Sequence, residues 1–438
     1  MVIIIGAGIT GLTLAYELEK QEKPYLLIDK SKNVGGYLKT IHTGGNILEL
    51  GANSLLADNE LIALLQELGL EQQIQYSNGV SKSRYVLKNK KYRILPSTPL
   101  QLLFGSYFNF NTKIKVIKEF FKPFLKVEAE TIAQFFKRRF SDEIVQYAVD
   151  PFVSGIYAGD SDKLSIDATF PNLKKYEFEF GSVLKGLIRN SKSIERKKSI
   201  NFTGGMEMFP NALLSKLKPE NVMLDTEIAS ISREDGRWQI AAKQKNMVFD
   251  ATAVIFCLPS FQLKTLLPSH YAVDNISSIR YAPMAVVHSV YKKKDVKHAL
   301  NGFGGLNPTI ENQFSLGGIW TSSVFDGKCK PDEVLFTTFV GGDRQKHKLV
   351  ENEPWEIKLK VHQELCRNFE IKSEIPEFQH FYLWEKALPQ YENSIFLAWR
   401  QATALEKDNI YICANWKDGV SLSDCIKKAK ILAQSLPH

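Results

Sequence analysis

No run in this chain approaches the ~18 apolar residues that a membrane-spanning helix requires, so a bilayer crossing is not expected. Histidine is sparse: there are eight, none spaced as HxxxH or HxH, which leaves no ordinary metal-ligand pair. The five cysteines (Cys257, Cys329, Cys366, Cys413 and Cys425) are scattered, odd in number and never spaced as CxxC. They read as reduced, partly buried thiols of a cytosolic protein, not as a disulfide framework or a zinc site. Repeats, low-complexity linkers and basic runs interleaved with stacking aromatics are also missing, which argues against nucleic acid as a partner. What is left is an ordinary globular composition, 44% hydrophobic and 24% charged. A formal net charge of +8 admits acidic ligands or an anionic surface without demanding either. At 438 residues the chain exceeds a single core and should divide into two or three domains.

Against that background the first residues are distinctive. Val2-Ile3-Ile4-Ile5 has the pattern of a buried strand, Gly6, Gly8 and Gly11 follow at GxGxxG spacing, and Leu14 and Leu18 lie one helical turn apart beyond them. Strand, tight turn and helix in that order form a dinucleotide-binding unit. Gly6 serves the turn, Gly8 lets a pyrophosphate approach the backbone, and Gly11 lets helix and strand pack closely. A second apolar run, Tyr25-Leu26-Leu27-Ile28, ends in Asp29, 18 residues after Gly11. That is about where a ribose-binding carboxylate belongs, and Lys30 stands beside it. No second GxGxxG occurs, so a separate NAD(P)H site is not expected. With a strand starting at Val2, no signal or transit peptide is expected ahead of it, and the expected compartment is the cytoplasm.

Farther along, Leu61, Leu64, Leu65 and Leu68 have helical spacing, with Asp58 or Asn59 as cap and Gly69 as stop. Arg84-Tyr85-Val86-Leu87 and Lys91-Tyr92-Arg93-Ile94 read as a hairpin around Asn89-Lys90. Between residues 99 and 139, Phe104, Tyr107, Phe108, Phe110, Phe120, Phe121, Phe124, Phe135 and Phe136 crowd among Lys113, Lys115, Lys118, Lys122, Lys126, Lys137, Arg138 and Arg139. A helix over residues 114–125 would carry a broad apolar face with a basic border, suited to a membrane interface or to its own domain with a solvated lysine edge. Asp150-Pro151-Phe152-Val153-Ser154-Gly155-Ile156-Tyr157-Ala158-Gly159-Asp160 reads as a loop with two glycines and an aromatic pair. Residues 221–224, then Ile228 and Ile231, read as a return to the nucleotide sheet, followed by a hairpin around Gly236 and the buried strand Ala253-Val254-Ile255-Phe256-Cys257. Residues 263–399 are mostly alternating strands with a helix near 355–369, and the run from Gly302 to Pro308 reads as turns. The chain closes on a strand, Asn409-Ile410-Tyr411-Ile412, a turn through Gly419 and a helix carrying Ile426 and Ala429.

The segment after Asp29 is more specific. Val34-Gly35-Gly36-Tyr37-Leu38-Lys39-Thr40 and Leu48-Glu49-Leu50-Gly51-Ala52-Asn53 resemble the flavin amine-oxidase superfamily, whose paired glycine lets backbone lie against the flavin side of FAD. Many members carry Arg after the pair; Tyr37 stands here. The run from Asp150 to Asp160, followed by Lys163-Leu164-Ser165, resembles the signature of the protoporphyrinogen oxidase family within that superfamily. Asn201-Phe202-Thr203-Gly204-Gly205-Met206-Glu207, the glycine run at Gly302, Pro389-Gln390-Tyr391 and the closing stretch from Lys417 to Ile426 are similar to further segments of that family.

The resemblance implies an α/β fold. A Rossmann-like FAD-binding domain would be built from residues 1–75, 200–260 and 400–438, a mixed-sheet substrate domain from 76–98 and 261–399, and a helical insertion from 99–199. It implies non-covalent FAD, with Gly35, Gly36, Tyr37, Gly51, Ala52, Asn53, Ile228, Asn415, Trp416, Gly419, Val420 and Ser421 joining Gly6, Gly8, Gly11, Asp29 and Lys30 around it. Ile228 would present its backbone to the adenine, and the last helix would aim its N-terminus at the N1–C2 edge of the flavin. Lys39, Asn53 and Gly155 would face substrate, Lys39 by pairing a propionate; a solvated strand lysine is the alternative. The implied reaction is the six-electron oxidation of protoporphyrinogen IX to protoporphyrin IX in haem biosynthesis, in three hydride transfers to flavin with O2 as acceptor and H2O2 as product. It requires no catalytic side chain and no metal. Oxidation of coproporphyrinogen III to coproporphyrin III, oxidation of an amine or polyene, and a porphyrin-binding flavoprotein without turnover stay open. Peripheral contact with the cytoplasmic face of the membrane and a homodimer are further expectations.

Overall fold

Val2–Ile5 is the middle strand of a five-stranded parallel sheet whose order is Val222–Met223, Tyr25–Ile28, Val2–Ile5, Ala253–Phe256 and Ile410–Ile412. A parallel strand is covered on both faces, which is why these segments are unbroken apolar runs. Three distant stretches of chain thus share one sheet. Helix Ile9–Lys20 lies on one face, with Leu12, Leu14 and Leu18 buried against the closing helix Leu422–Ser435 through Cys425, Ile426, Ala429 and Ala433. The computed structural model describes residues 1–190, 197–243 and 247–436. Residues 191–196 of the expected insertion, 244–246 of the expected FAD domain and the last two residues lie outside the described residues.

The helix predicted around Leu61 spans Asn59–Glu67, capped by the Asp58 carboxylate, which accepts from Leu61 N–H at 3.0 Å. The hairpin around Asn89-Lys90 forms as expected, with both turn residues at positive φ. Ile228 differs from expectation. Val222–Met223 joins the nucleotide sheet, but Ile228–Glu234 leaves it for a separate antiparallel sheet with Arg237–Ala242 and Val248–Ala251. Ile228, Ile231, Trp238 and Ile240 bury one face of that sheet while Ser230, Ser232, Gln239 and Asp250 lie on the other, the pattern of an antiparallel meander with one wet side.

The second large sheet has seven strands, ordered Phe378–Pro389, Tyr281–Lys292, Glu333–Gly341, Gly317–Ile319, Gly304–Leu306, Arg84–Lys88 and Lys91–Ile94. Only Gly304–Leu306 beside Arg84–Lys88 pairs in parallel, so the sheet is mixed. One face (Ala285, Val287, Phe336, Val340, Tyr85) packs on helix Pro354–Phe369 through Ile357, Val361, Leu365 and Phe369. Gly304–Leu306 is therefore a strand and not a turn. A Cβ on Gly304 would lie 2.2 Å from the Gly318 carbonyl, so glycine is what lets these strands approach.

The other face of the sheet meets two bodies: the segment from Tyr37 to Asn53 near its Phe378–Pro389 edge, and a helical layer near its Arg84–Lys88 edge. Two expectations for that layer are corrected. The helix expected over residues 114–125 is Phe110–Glu119; it stops where Glu119 turns inward to pair with Arg139, shortly before Pro123. The stretch at Gly155 is not a loop but helix Asp150–Tyr157, ended by Ala158 at φ +49. A π turn, Val145–Val149, precedes it, next to Pro151, which lacks the N–H that a regular α-helical ladder would use. Gly155 belongs in this helix because a Cβ there would meet Leu306 Cδ2 at 3.0 Å.

Candidate active site

The three glycines of the first turn have separable roles. Gly6 takes φ +112, and a Cβ on Gly11 would sit 1.9 Å from the Gly6 carbonyl oxygen. A Cβ on Gly8 would meet nothing within 4 Å, so glycine there is not required by packing. The paired glycine lies alongside: Gly35 bridges Gly8, Gly35 N–H donates to Ala7 C=O at 2.9 Å, and Gly36 runs 3.3 Å from Gly8 Cα measured from its would-be Cβ. Asp29 closes the arrangement, accepting from Ala7 N–H at 2.6 Å and Ser31 N–H at 2.7 Å; Lys30 beside it is exposed.

Residues 51–53 continue the same wall. Gly51 passes so close to Tyr37 that a Cβ would lie 1.8 Å from the Tyr37 carbonyl oxygen, while Ala52 is half-buried. Asn53 is buried; its Nδ2 donates to Gly51 C=O at 3.1 Å, and its Oδ1 has no partner. Open space at Gly8, the Gly35-Gly36 pair beside it, the close-packed backbone at Gly51 and an unpartnered buried acceptor on Asn53 together fit an extended dinucleotide that brings its own N–H and O–H donors.

At the far end, the turn after Ile410–Ile412 is pinned by Lys428, whose Nζ donates to the Ala414 and Gly419 carbonyls at 2.8 Å each and to that of Lys417. Gly419 takes φ +114, where a Cβ would collide with Asp424. Ser421 caps helix Leu422–Ser435 in a reciprocal capping box with Asp424, and Val420 is half-buried before it. Trp416 stands in the same turn. Its side chain is fully buried, Nε1 donates to Leu258 C=O at 3.0 Å, and its own carbonyl accepts from Trp399 at 2.7 Å. Asn415 C=O is likewise engaged by Tyr391 Oη at 2.7 Å. Ile228 is buried at the start of the antiparallel sheet.

Between the two bodies the face of the seven-stranded sheet is only half covered, and this strip is the candidate substrate cleft. Cross-strand partners share a face, and the row Leu306, Gly317, Phe339 leaves Leu306 and Phe339 half-buried, as is Ile319 in the next row. Trp384 and Tyr37 form one wall, with ring centroids 4.8 Å apart. Trp384 Nε1 donates to Leu50 C=O at 2.6 Å and Tyr37 Oη to Lys386 C=O at 2.7 Å, bolting the Tyr37–Leu50 strip to the sheet edge. Burial pushes the Tyr37 hydroxyl up to about 12, so it stays a donor. The opposite wall is helix Asp150–Tyr157, with Phe152 and Ile156 exposed beside Gly155.

Two cations stand at this cleft without a carboxylate in ion-pair reach among the described residues. Lys39 is exposed, its ammonium 5.4 Å from the Trp384 ring. Arg84 was not singled out by the sequence. It shares the row of Gly304 and Ile319, lies 5.3 Å over the Phe303 ring, and has its pKa lowered by loss of solvent. Its signal was its place as the first residue of the hairpin, on the same side as the inward-facing Val86. All five cysteines are free, and no group of three metal-ligating side chains occurs among the described residues.

The family model of flavin-containing amine oxidoreductases matches residues 9–436. Protoporphyrinogen oxidase 2 of Arabidopsis thaliana is 30% identical, covering 97% of this chain and 91% of that protein. Coproporphyrinogen III oxidase of Bacillus subtilis is 26% identical, covering 98% and 96%. Among solved structures, an Exiguobacterium protein provisionally described as a protoporphyrinogen oxidase superposes with a TM-score of 0.82 at 22% identity, covering 99% of this chain and 98% of that one. A UDP-galactopyranose mutase shares the fold at a TM-score of 0.74 and 14% identity, covering 100% and 96%. The chain therefore belongs to the flavin-containing amine oxidoreductases, and is an FAD-dependent oxidoreductase.

Proposed function

We propose that this enzyme oxidises protoporphyrinogen IX to protoporphyrin IX, with O2 as acceptor. The observation that carries the reading is the cleft itself. It is walled by apolar and aromatic groups (Leu306, Ile319, Phe339, Trp384) and flanked by Arg84 and Lys39, neither of which meets a carboxylate among the described residues. A flat apolar macrocycle with carboxylate side arms matches that combination, whereas a small aliphatic amine would need an acid or an aromatic cage. Bound FAD supplies the hydride acceptor. The chain's own work is to hold the disc, exclude water from its face and pair its propionates, and no side chain in the cleft needs to act as a general base. The relatives named above support the assignment, and the plant protoporphyrinogen oxidase shares more of this sequence than the bacterial coproporphyrinogen oxidase.

Flavin-loaded protein should be given each porphyrinogen in air, with porphyrin fluorescence and H2O2 followed together. Faster turnover of protoporphyrinogen supports the reading, a preference for coproporphyrinogen III shifts it to that substrate, and no oxidation of either removes it. We further propose that the enzyme acts in the cytoplasm and contacts an anionic membrane peripherally through the exposed aromatic and lysine side chains of the helical layer.

A further inference from the structure

Lys328 lies between helix Thr321–Val324 and strand Glu333–Gly341, outside every segment that forms the nucleotide site. It is nonetheless 1% exposed, and its Nζ donates to Phe202 C=O at 2.6 Å and Asn201 Oδ1 at 3.1 Å. Asn201 directs its amide hydrogens to Asn53 C=O at 2.8 Å and Glu49 Oε1 at 3.1 Å. Glu49, 2% exposed, also accepts from Met206 N–H at 2.9 Å and Thr40 Oγ1 at 2.7 Å. Both direct partners of the ammonium are neutral, and Glu49 is the charge that acts on it from beyond them. Burial brings the Lys328 pKa down to about 8 and raises that of Glu49. An ammonium desolvated against neutral acceptors is costly, and packing alone would be served better by a methionine.

What hangs from this network is the wall of the cofactor site. Asn201 holds the Asn53 backbone, Asn53 Nδ2 holds the Gly51 carbonyl, and Gly51 runs against Tyr37 with no space for a side chain. Asn53 Oδ1 is left buried without a partner. We propose that Lys328 is a positioning residue for the flavin site: acting through Asn201, it fixes residues 51–53 so that Asn53 Oδ1 is free to accept from the cofactor. The inference rests on FAD binding at this site, but not on the identity of the substrate.

The test is a double-variant cycle of Lys328→Met and Asn201→Ala, read by the Kd for FAD and the shape of the bound flavin absorption band, with circular dichroism as the check on folding. Lys328→Met should fold, bind FAD at least about tenfold more weakly and alter the flavin band. Asn201→Ala should do the same, and the double variant should be no worse than the weaker single, because both cut one chain of contacts. A Lys328→Met protein with wild-type Kd and spectrum overturns the proposal, as do losses that multiply in the double variant. If Lys328→Met does not fold, Lys328→Gln, which keeps a donor for Asn201, takes its place: it should retain more FAD affinity than Asn201→Ala, and equal or greater loss overturns the proposal. Turnover is not read, so a wrong substrate leaves this result standing.

Discussion

Gly8 and Gly11 sit three residues apart and answer to different constraints. Gly11 is closed in by the Gly6 carbonyl, whereas Gly8 has open space around its would-be Cβ and an ordinary φ of −72. Gly11→Ala should therefore damage the fold, lowering the melting temperature of the apoprotein by several degrees, since a buried clash of this kind costs about 1–3 kcal/mol. Gly8→Val should leave that temperature nearly unchanged and still fail to load FAD, because its side chain enters the pyrophosphate path. Flavin absorbance and a thermal melt separate the two, and equal melting losses would refute the distinction. The same scale settles the cations. Removing one charge-assisted contact to a propionate costs about 1–3 kcal/mol, so Lys39→Ala and Arg84→Ala should each raise KM for the porphyrinogen roughly tenfold while leaving the flavin spectrum intact. Each cation also leans on an aromatic ring, Arg84 on Phe303 and Lys39 on Trp384, so the two losses should be of similar size. An alanine variant with unchanged KM takes that residue out of the cleft.

Elements whose reasons are local were legible in the sequence, and those whose reasons are remote were not. The first strand, turn and helix are written in adjacent residues, as are the Asp58 cap and the Asn89-Lys90 turn. The stretch from Asp150 to Asp160 looked like a loop because of its two glycines, Gly155 and Gly159; the justification for Gly155 is Leu306, some 150 residues away. Arg84 was passed over for the same reason, since only the pairing of Gly304 beside it places it at the cleft. In the helical layer, charge counting misled. Arg139 is buried with Glu119 and Glu177, Arg138 pairs with Glu130 and Glu177, and Lys122 donates to two carbonyls, so these are not a basic rim. The apolar half of the expectation is different: Phe104 and Phe121 are each 82% exposed, with Leu100, Phe110 and Ile117 also exposed and Lys113, Lys115 and Lys118 among them. If that face meets a membrane, flotation with liposomes should require anionic lipid and weaken with salt. Phe104→Ser with Phe121→Ser should reduce it several-fold by the loss of two buried rings. Flotation unchanged by the double substitution, or equal on neutral lipid at high salt, would count against it.

The molecule is held in working order where its two large sheets meet through the strip from Tyr37 to Asn53, and one buried histidine makes that junction sensitive to pH. His288, on strand Tyr281–Lys292, reaches Glu49 C=O at 3.1 Å with Nε2, while its Nδ1 has no partner. Burial, with the neighbouring His380 ring 5.9 Å away, depresses its pKa to about 3, so Nε2 carries the proton and the ring is neutral. In the unfolded chain the same imidazole gains a proton near its ordinary value of about 6.5. The native state thus binds fewer protons than the unfolded state between these two values. The stability His288 lends is fully present above the unfolded pKa and is lost as pH falls toward 3, by up to about 1.4 kcal/mol per pH unit. Glu49, whose folded pKa is raised, acts in the opposite sense and only above its own ordinary range. Relative to a variant without the imidazole, the urea midpoint should therefore fall more steeply as pH is lowered from about 7 to about 5, with Glu49 opposing the change in both proteins. His288→Gln keeps a donor toward Glu49 C=O without a titrating ring, and should flatten that slope while costing little at neutral pH. Since His380 and every other titrating group are common to both proteins, the difference between the two curves belongs to His288. Parallel curves would mean that the junction does not sense the imidazole, and that acid loosens this enzyme somewhere other than where its sheets join.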